Sequence, residues 1–198
     1  MKRTGIYYLV GIVLAVLFTS CLEGNDYSEL SKEEEQLTSK EEEQLTLNKY
    51  LNNIISNKHD VDTTALGVYY VTTRGGTGAF PKNGDTLTVG YAGYFLDGTL
   101  FDLSVWHNPI NYPIIYINGY PYPDPNSPTR KDSTFTFVLG TPPSIKGWDD
   151  GMKVINKNAT VQLIVPSDLA YGSAGAGVIP PYKTLVFVVK MKSIKPSI

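Results

Sequence analysis

The sequence predicts an α+β fold, an antiparallel sheet with a helix packed on one face. Three observations predict it. Residues 66–73 (LGVYYVTT), 133–139 (STFTFVL), 159–165 (ATVQLIV) and 184–194 (TLVFVVKMKSI) are short runs rich in Val, Tyr, Phe and Thr, as strands are. Asn83-Gly84 and Asp97-Gly98 are turn dipeptides, and between them Leu87, Val89, Tyr91, Gly93 and Phe95 alternate along one face. A single short helical candidate, SIKGWDDGMKVI at 144–155, interrupts the β texture.

The elements follow in chain order. Lys2-Arg3 precede an apolar run of 13 residues, Ile6 to Phe18. That is short of the ~20 residues a spanning helix needs and fits a signal peptide over 1–20. FTSC (18–21) resembles a bacterial lipoprotein box, which implies lipidation of Cys21 and a protein tethered to, not spanning, a membrane. Leu22 after that cysteine favours the outer membrane of a bacterial cell envelope. Cys21 is the only cysteine, so an internal disulfide and a Cys-rich metal site are both excluded.

Residues 21–65 read as an acidic tether ending in a short amphipathic helix. Residues 31–46 repeat SKEEEQLT twice, and Ser31/Glu34 and Ser39/Glu42 have capping-box spacing. Leu30, Leu37 and Leu45 form a stripe too thin to bury much, so 29–46 is expected to be solvated, partly helical or disordered. Leu47, Leu51, Ile54 and Ile55, with Tyr50 beside them, predict a helix over 47–56 that docks on its own domain.

The charge is uneven. Every Glu lies at or before Glu43, and from Leu47 onward 13 Lys and Arg face 10 Asp. No basic stripe clusters, so nothing points to nucleic acid. Residues 103–132 hold six of the 13 prolines and four of the 14 tyrosines, which rules out a central strand or helix there. The loop LAYGSAGAGVIPP (169–181) is small-residue rich but lacks a following helix or a Lys-Ser/Thr pair, and Pro180-Pro181 bar helix continuation. It reads as a wall for an uncharged ligand.

DTLTVGYAGYFLDGTLFD (85–102), FTFVLGTPPSIKGWDDGM (135–152) and LIVPSDLAYGSAGAGVIPPYKTLVFVVKMKSI (163–194) resemble the FKBP-type peptidyl-prolyl cis/trans isomerases, with the stem and lipobox of bacterial members. The resemblance covers 66–102 and 133–195 and implies a twisted antiparallel sheet wrapped around one short helix. It assigns 66–198 to an isomerase domain carrying the Tyr/Pro-rich insert 103–132. It implies an apolar cup lined by Tyr91, Phe101, Phe135, Ile145, Trp148, Tyr171, Val178, Ile179 and Phe187, with Trp148 as its floor and Asp102 in a rim hydrogen bond. The Ile145 N–H and the Tyr171 hydroxyl would hold the ligand. The implied catalytic set is Tyr91, Phe101, Asp102, Ile145, Trp148, Tyr171 and Phe187, with Phe135, Val178 and Ile179 binding substrate. Proline-containing clients, macrolide-type inhibitors and a role in folding exported proteins follow by the same resemblance; no cofactor or metal is implied.

The residues agree on their own terms. His59 and His107 are the only histidines, one in the linker and one in the insert, so a Ser-His-Asp arrangement has little support. Asp149 and Asp150 are helix neighbours pointing to different faces, and read as two solvated charges. Phe137, Val89 and Leu163 read as ordinary core. Three departures stand out: Ser144 replaces an apolar residue, Ala176 replaces a histidine of well-known members, and 32 residues separate Asp102 from Phe135. They keep an alternative open, a membrane-tethered chaperone or peptide-binding module with little turnover. A purely structural surface lipoprotein is the third reading.

Overall fold

The computed structural model describes residues 26–103, 114–117, 120–123, 134–142 and 144–198. The signal-peptide segment, Cys21, His107 and most of the insert lie outside them. Helix α1 (Asp26–Ser56) leads into β1 (Asp62–Thr63), β2 (Tyr69–Arg74), β3 (Thr86–Phe95) and β4 (Leu100–Leu103). The hairpin β5 (Ile114–Ile117) and β6 (Tyr120–Pro123) falls in the insert. Then come β7 (Phe135–Val138), α2 (Lys146–Met152), β8 (Thr160–Val165), a 3₁₀ turn (Ser167–Leu169) and β9 (Leu185–Lys195). The described residues form a seven-stranded antiparallel sheet in the order β1-β2-β8-β9-β3-β4, with β7 also paired to β3, and the separate two-stranded sheet β5-β6. The expected sheet and short helix are therefore present.

Strand β3 organises the site. One edge pairs with β9 along its whole length, Thr86 to Phe95. The other edge is shared: β7 pairs with 86–89 and β4 with 92–94. The insert thus leaves and re-enters the same sheet edge. Leu103 opposes Ala92 and Phe135 opposes Val89, so its two roots lie about 10 Å apart along the strand, at ~3.3 Å per residue.

The sheet buries both faces. Strand period two sends Leu87, Val89, Leu163, Phe187 and Val189 into one core under α2. It sends Ala92, Tyr94, Ile164, Val186 and Val188 into a second core under α1. Coverage on both sides explains why all six residues of β8 are buried, including Gln162.

The stem differs from the expected solvated spacer plus short helix. It is one continuous helix of 31 residues. No Gly or Pro interrupts 26–56, and Glu, Lys, Gln and Leu are strong helix formers, so nothing stops propagation from the docked end. Leu47, Tyr50, Leu51 and Ile54 are buried against the sheet, while Leu45 is 70% exposed because it lies off that stripe. The Gln162 amide donates to the Tyr50 hydroxyl at 2.7 Å, satisfying a fully buried polar group.

Candidate functional site

Helix α2 sets the floor. Its glycines Gly147 and Gly151 face β8, where a Cβ would run into Val165 and Leu163 respectively. Only hydrogen fits, so the helix lies close on the sheet and Trp148 is pressed inward, 6% exposed. Ile145 caps the helix in an extended conformation, and its carbonyl accepts the N–H groups of Trp148 and Asp149 at 3.1 and 3.3 Å.

The walls are aromatic. Tyr91 and Phe187 meet Trp148 edge-to-face, with ring centroids 5.1 and 5.2 Å away. Phe101 meets Phe187 edge-to-face at 5.7 Å. A bulge directs Phe101 here: Gly93 and Tyr94 of β3 oppose Asp102 and Leu100, leaving Phe101 as the extra residue on β4. Such contacts contribute about 0.5–1.5 kcal/mol each beyond area burial and fix ring orientation before any ligand arrives.

The rim loop 170–182 forms one wall of the site, as its small residues and lack of charge predict. Ala176 and Ile179 exchange two backbone hydrogen bonds, 2.8 and 2.9 Å, around a Gly177-Val178 turn. Gly177 takes φ +55° at the first central position, where a side chain would be strained. At Gly175 a Cβ would collide with the Ile179 carbonyl and Pro180. The glycines let the loop fold tightly back on itself. Ile179 is thereby buried, while Val178 and Tyr171 stand exposed at the rim.

All ten residues expected in the cup line one cleft of about 440 Å³: Tyr91, Phe101, Asp102, Phe135, Ile145, Trp148, Tyr171, Val178, Ile179 and Phe187. That volume lies within the ~300–1,000 Å³ of small-ligand sites. Its polar edge is the Tyr91 hydroxyl, which donates to Asp102 Oδ2 at 2.8 Å, while the Leu103 N–H donates to Oδ1 at 2.7 Å. Burial first, then the hydrogen bond to Asp102 and its negative charge, push the Tyr91 phenol well above its usual range. Tyr91 therefore stays a neutral donor at any physiological pH.

Two expectations are corrected. Phe137 is not only core; it lines the cleft, stacked on Phe135 at 5.1 Å and 18°. Residues two apart on a strand share a face, so the alternation that marked Phe135 also marked Phe137. Asp150 is not a solvated charge: it is 4% exposed, and its Oδ2 accepts the Leu66 N–H at 3.0 Å. Asp149 is only partly buried. Ser144 lines the cleft as expected of a more polar edge, but its hydroxyl donates to the Thr141 carbonyl at 2.9 Å, which leaves less polarity for a ligand. His59 is exposed, in the linker between α1 and β1.

Residues 77–192 match the family described as FKBP-type peptidyl-prolyl cis-trans isomerase. The chain is 35% identical over 137 residues to the FKBP-type peptidyl-prolyl cis-trans isomerase FkpA of Escherichia coli (strain K12), covering 69% of this chain and 41% of that protein. It is 36% identical over 132 residues to the peptidyl-prolyl cis-trans isomerase Fkbp12 of Drosophila melanogaster, covering 66% of this chain and 100% of that protein. The crystal structure of FkpA from Escherichia coli superposes with a TM-score of 0.55 at 28% identity, covering 90% of this chain and 76% of that one. The chain thus spans about two fifths of the length of the FkpA sequence it matches.

Proposed function

The chain belongs to the FKBP-type peptidyl-prolyl cis-trans isomerase family, and on that premise we propose that it accelerates rotation about X-Pro bonds in protein clients. The observation that carries this reading is the convergence of ten named residues on one aromatic-floored cleft. The barrier to be lowered, ~18–20 kcal/mol, comes from amide resonance. X-Pro bonds populate both isomers and exchange over roughly tens to hundreds of seconds, slowly enough to limit folding.

In the twisted transition state the carbonyl loses resonance charge. A cleft walled by Tyr91, Phe101, Trp148 and Phe187 offers few polar partners to the planar, charge-separated amide and favours the twisted one. Binding energy realised only there raises turnover, and each ~1.4 kcal/mol of difference is tenfold in rate. Trp148 supports the proline ring from below. Tyr91 holds Asp102 at the rim, and the Ile145 N–H and Tyr171 hydroxyl hold the client's carbonyls. No step needs a nucleophile, a metal or a change of protonation.

The finer assignments belong to the same proposal. Residues 1–20 act as a signal peptide, Cys21 is lipidated, and 21–65 tether the 66–198 domain to the bacterial envelope, probed by acyl labelling of wild type against Cys21→Ser. Exported, proline-containing polypeptides are the clients, and macrolide-type ligands compete for the cleft. The insert 103–132 serves as a client-contacting flap, supported by its two roots, Asp102-Leu103 and Phe135, standing beside the cleft. The decisive experiment is NMR exchange spectroscopy on an X-Pro peptide with the full chain in detergent. Acceleration that vanishes with a cleft-blocking macrolide is expected; no acceleration by folded protein removes the proposal.

A further inference from the structure

One carboxylate in the stem grips both feet of the rim loop. Glu43 stands on the docking stripe of α1, one turn before Leu47, and is 7% exposed. Its Oε1 accepts the Ser167 N–H and the Thr184 hydroxyl, both at 2.7 Å. Its Oε2 accepts the Ser167 hydroxyl at 2.6 Å and the Lys40 ammonium at 2.9 Å. Lys40 also pairs with Asp168 at 2.8 Å. Ser167 is where the rim loop departs from β8, and Thr184 is where it returns to β9. The grip passes inward: the Ser167 carbonyl accepts the N–H groups of Ala170 and Gly172, at 2.8 and 2.9 Å, on either side of Tyr171. The Gly172 carbonyl in turn accepts the Tyr182 N–H at 2.9 Å.

Resting on the isomerase reading above, we propose that Glu43 is a positioning residue for catalysis: it closes the base of the 167–184 loop and so fixes Tyr171, Val178 and Ile179 over the cleft. Charge-assisted hydrogen bonds to a buried carboxylate are the strong kind, and here four donors converge on one group. The loop between its feet is glycine-rich; its own backbone hydrogen bonds shape its tip, while Glu43 joins its two ends to each other. The aromatic floor, by contrast, is built from α2 and the sheet face turned away from α1. Loosening the loop therefore leaves ground-state docking on the floor intact and weakens contacts that tighten in the twisted state. The docked state of the stem and the competence of the cleft are coupled through this one side chain.

The test measures kcat and KM for an X-Pro peptide, and hydrogen exchange at the Ala170 and Gly172 amides, on the full chain. Glu43→Gln keeps the shape and removes the charge. It is expected to lower kcat about five- to tenfold with KM within about twofold, and to speed Gly172 exchange about tenfold or more. Glu41→Gln, the same charge change at an exposed neighbour, is expected to match wild type. Thr184→Val removes one of the four bonds at nearly constant volume and should shift kcat and exchange in the same direction by a smaller factor, so the idea remains testable if Glu43→Gln does not fold. A lower melting temperature with unchanged kcat, KM and Gly172 exchange would make Glu43 a staple for the stem alone and overturn the proposal. Should wild type show no turnover, the isomerase reading falls, and Gly172 exchange still decides whether the grip orders the loop.

Discussion

Gly93 offers a one-methyl probe of the cleft wall. It is a buried residue of β3 with an ordinary strand backbone, so alanine brings no dihedral strain. A Cβ there would sit 2.8 and 3.0 Å from two Phe101 ring carbons and 3.1 Å from Phe187 Cε1. Ordinary contact begins near 3.4 Å, so both rings must retreat by several tenths of an ångström. Phe101 already rests on Phe95, 5.0 Å between centroids, and Phe187 on Trp148, so the available direction is into the cleft. Overpacking of this kind costs about 1–3 kcal/mol. Replacing glycine stiffens the unfolded chain and returns about 0.4–1 kcal/mol. The net expectation is a loss of roughly 1 kcal/mol in urea denaturation, the overpacking term winning. The narrowed wall is expected to raise KM about tenfold, ~1.4 kcal/mol, with kcat little changed, because ring and transition state are crowded alike. Stability and kcat/KM both at wild-type values in Gly93→Ala would refute the assignment of Phe101 and Phe187 as the substrate-facing wall.

Three further outcomes are expected. Ile54→Ala, which empties a fully buried site between α1 and the sheet, should destabilise the fold by about 2–5 kcal/mol in chemical denaturation; a change below about 0.5 kcal/mol would mean the helix is not docked in solution. Tyr91→Phe removes the donor to Asp102 and should lower kcat/KM several-fold while changing stability by only about 0.5–1.5 kcal/mol; unchanged kinetics would restrict the pair to rim structure. Burial works to raise the Glu43 carboxyl, but hydrogen bonds from Ser167, Lys40 and Thr184 outweigh it and hold the group below the usual carboxylate range. Its contribution is complete above the unfolded value of 4.5 and is lost as pH falls through the lower folded value. Lys40 faces it directly, Asp168 lies beyond as the second partner of Lys40, and Glu42, Asp97 and Lys183 border the same crevice. Asp85, held low by the N–H groups of Lys82 and Ser197, shifts stability in the same direction, so the Glu43 share is the part of the acid limb missing from melts of Glu43→Gln.

Strands and cleft were legible because their signals are local. Alternation along 87–95 fixes which side chains share a face, and the segment 144–155 stands out as the one short helical stretch amid strands. The family resemblance then brought together Phe101, Trp148 and Phe187, which periodicity alone could not join. The bulge that places Phe101 was not legible, since one unpaired residue leaves no mark on composition. The stem was only half legible. Leu47, Tyr50, Leu51 and Ile54 show a stripe, but a stripe does not name its partner. Tyr50 meets Gln162 from 112 positions away, and Glu43 meets Ser167 from 124. Within a run of three glutamates nothing distinguishes the one that is buried; the helical phase set by Leu47 and Ile54 is the only clue. Asp150 was misread for the same reason, because its partner is a backbone N–H at distant Leu66.

The second core carries a practical consequence. A chain cut to begin at Leu66 would keep every side chain of the cleft yet strip the cover from Val71, Tyr94, Ile164, Val186 and Val188, and leave the Gln162 amide without its phenol. Such a fragment would be a greasy slab, prone to cling to its own kind as its concentration rises. A trimmed protein that clouds would then reflect bare surface on the far side of the sheet, whereas lost turnover would reflect a rim loop released from Glu43.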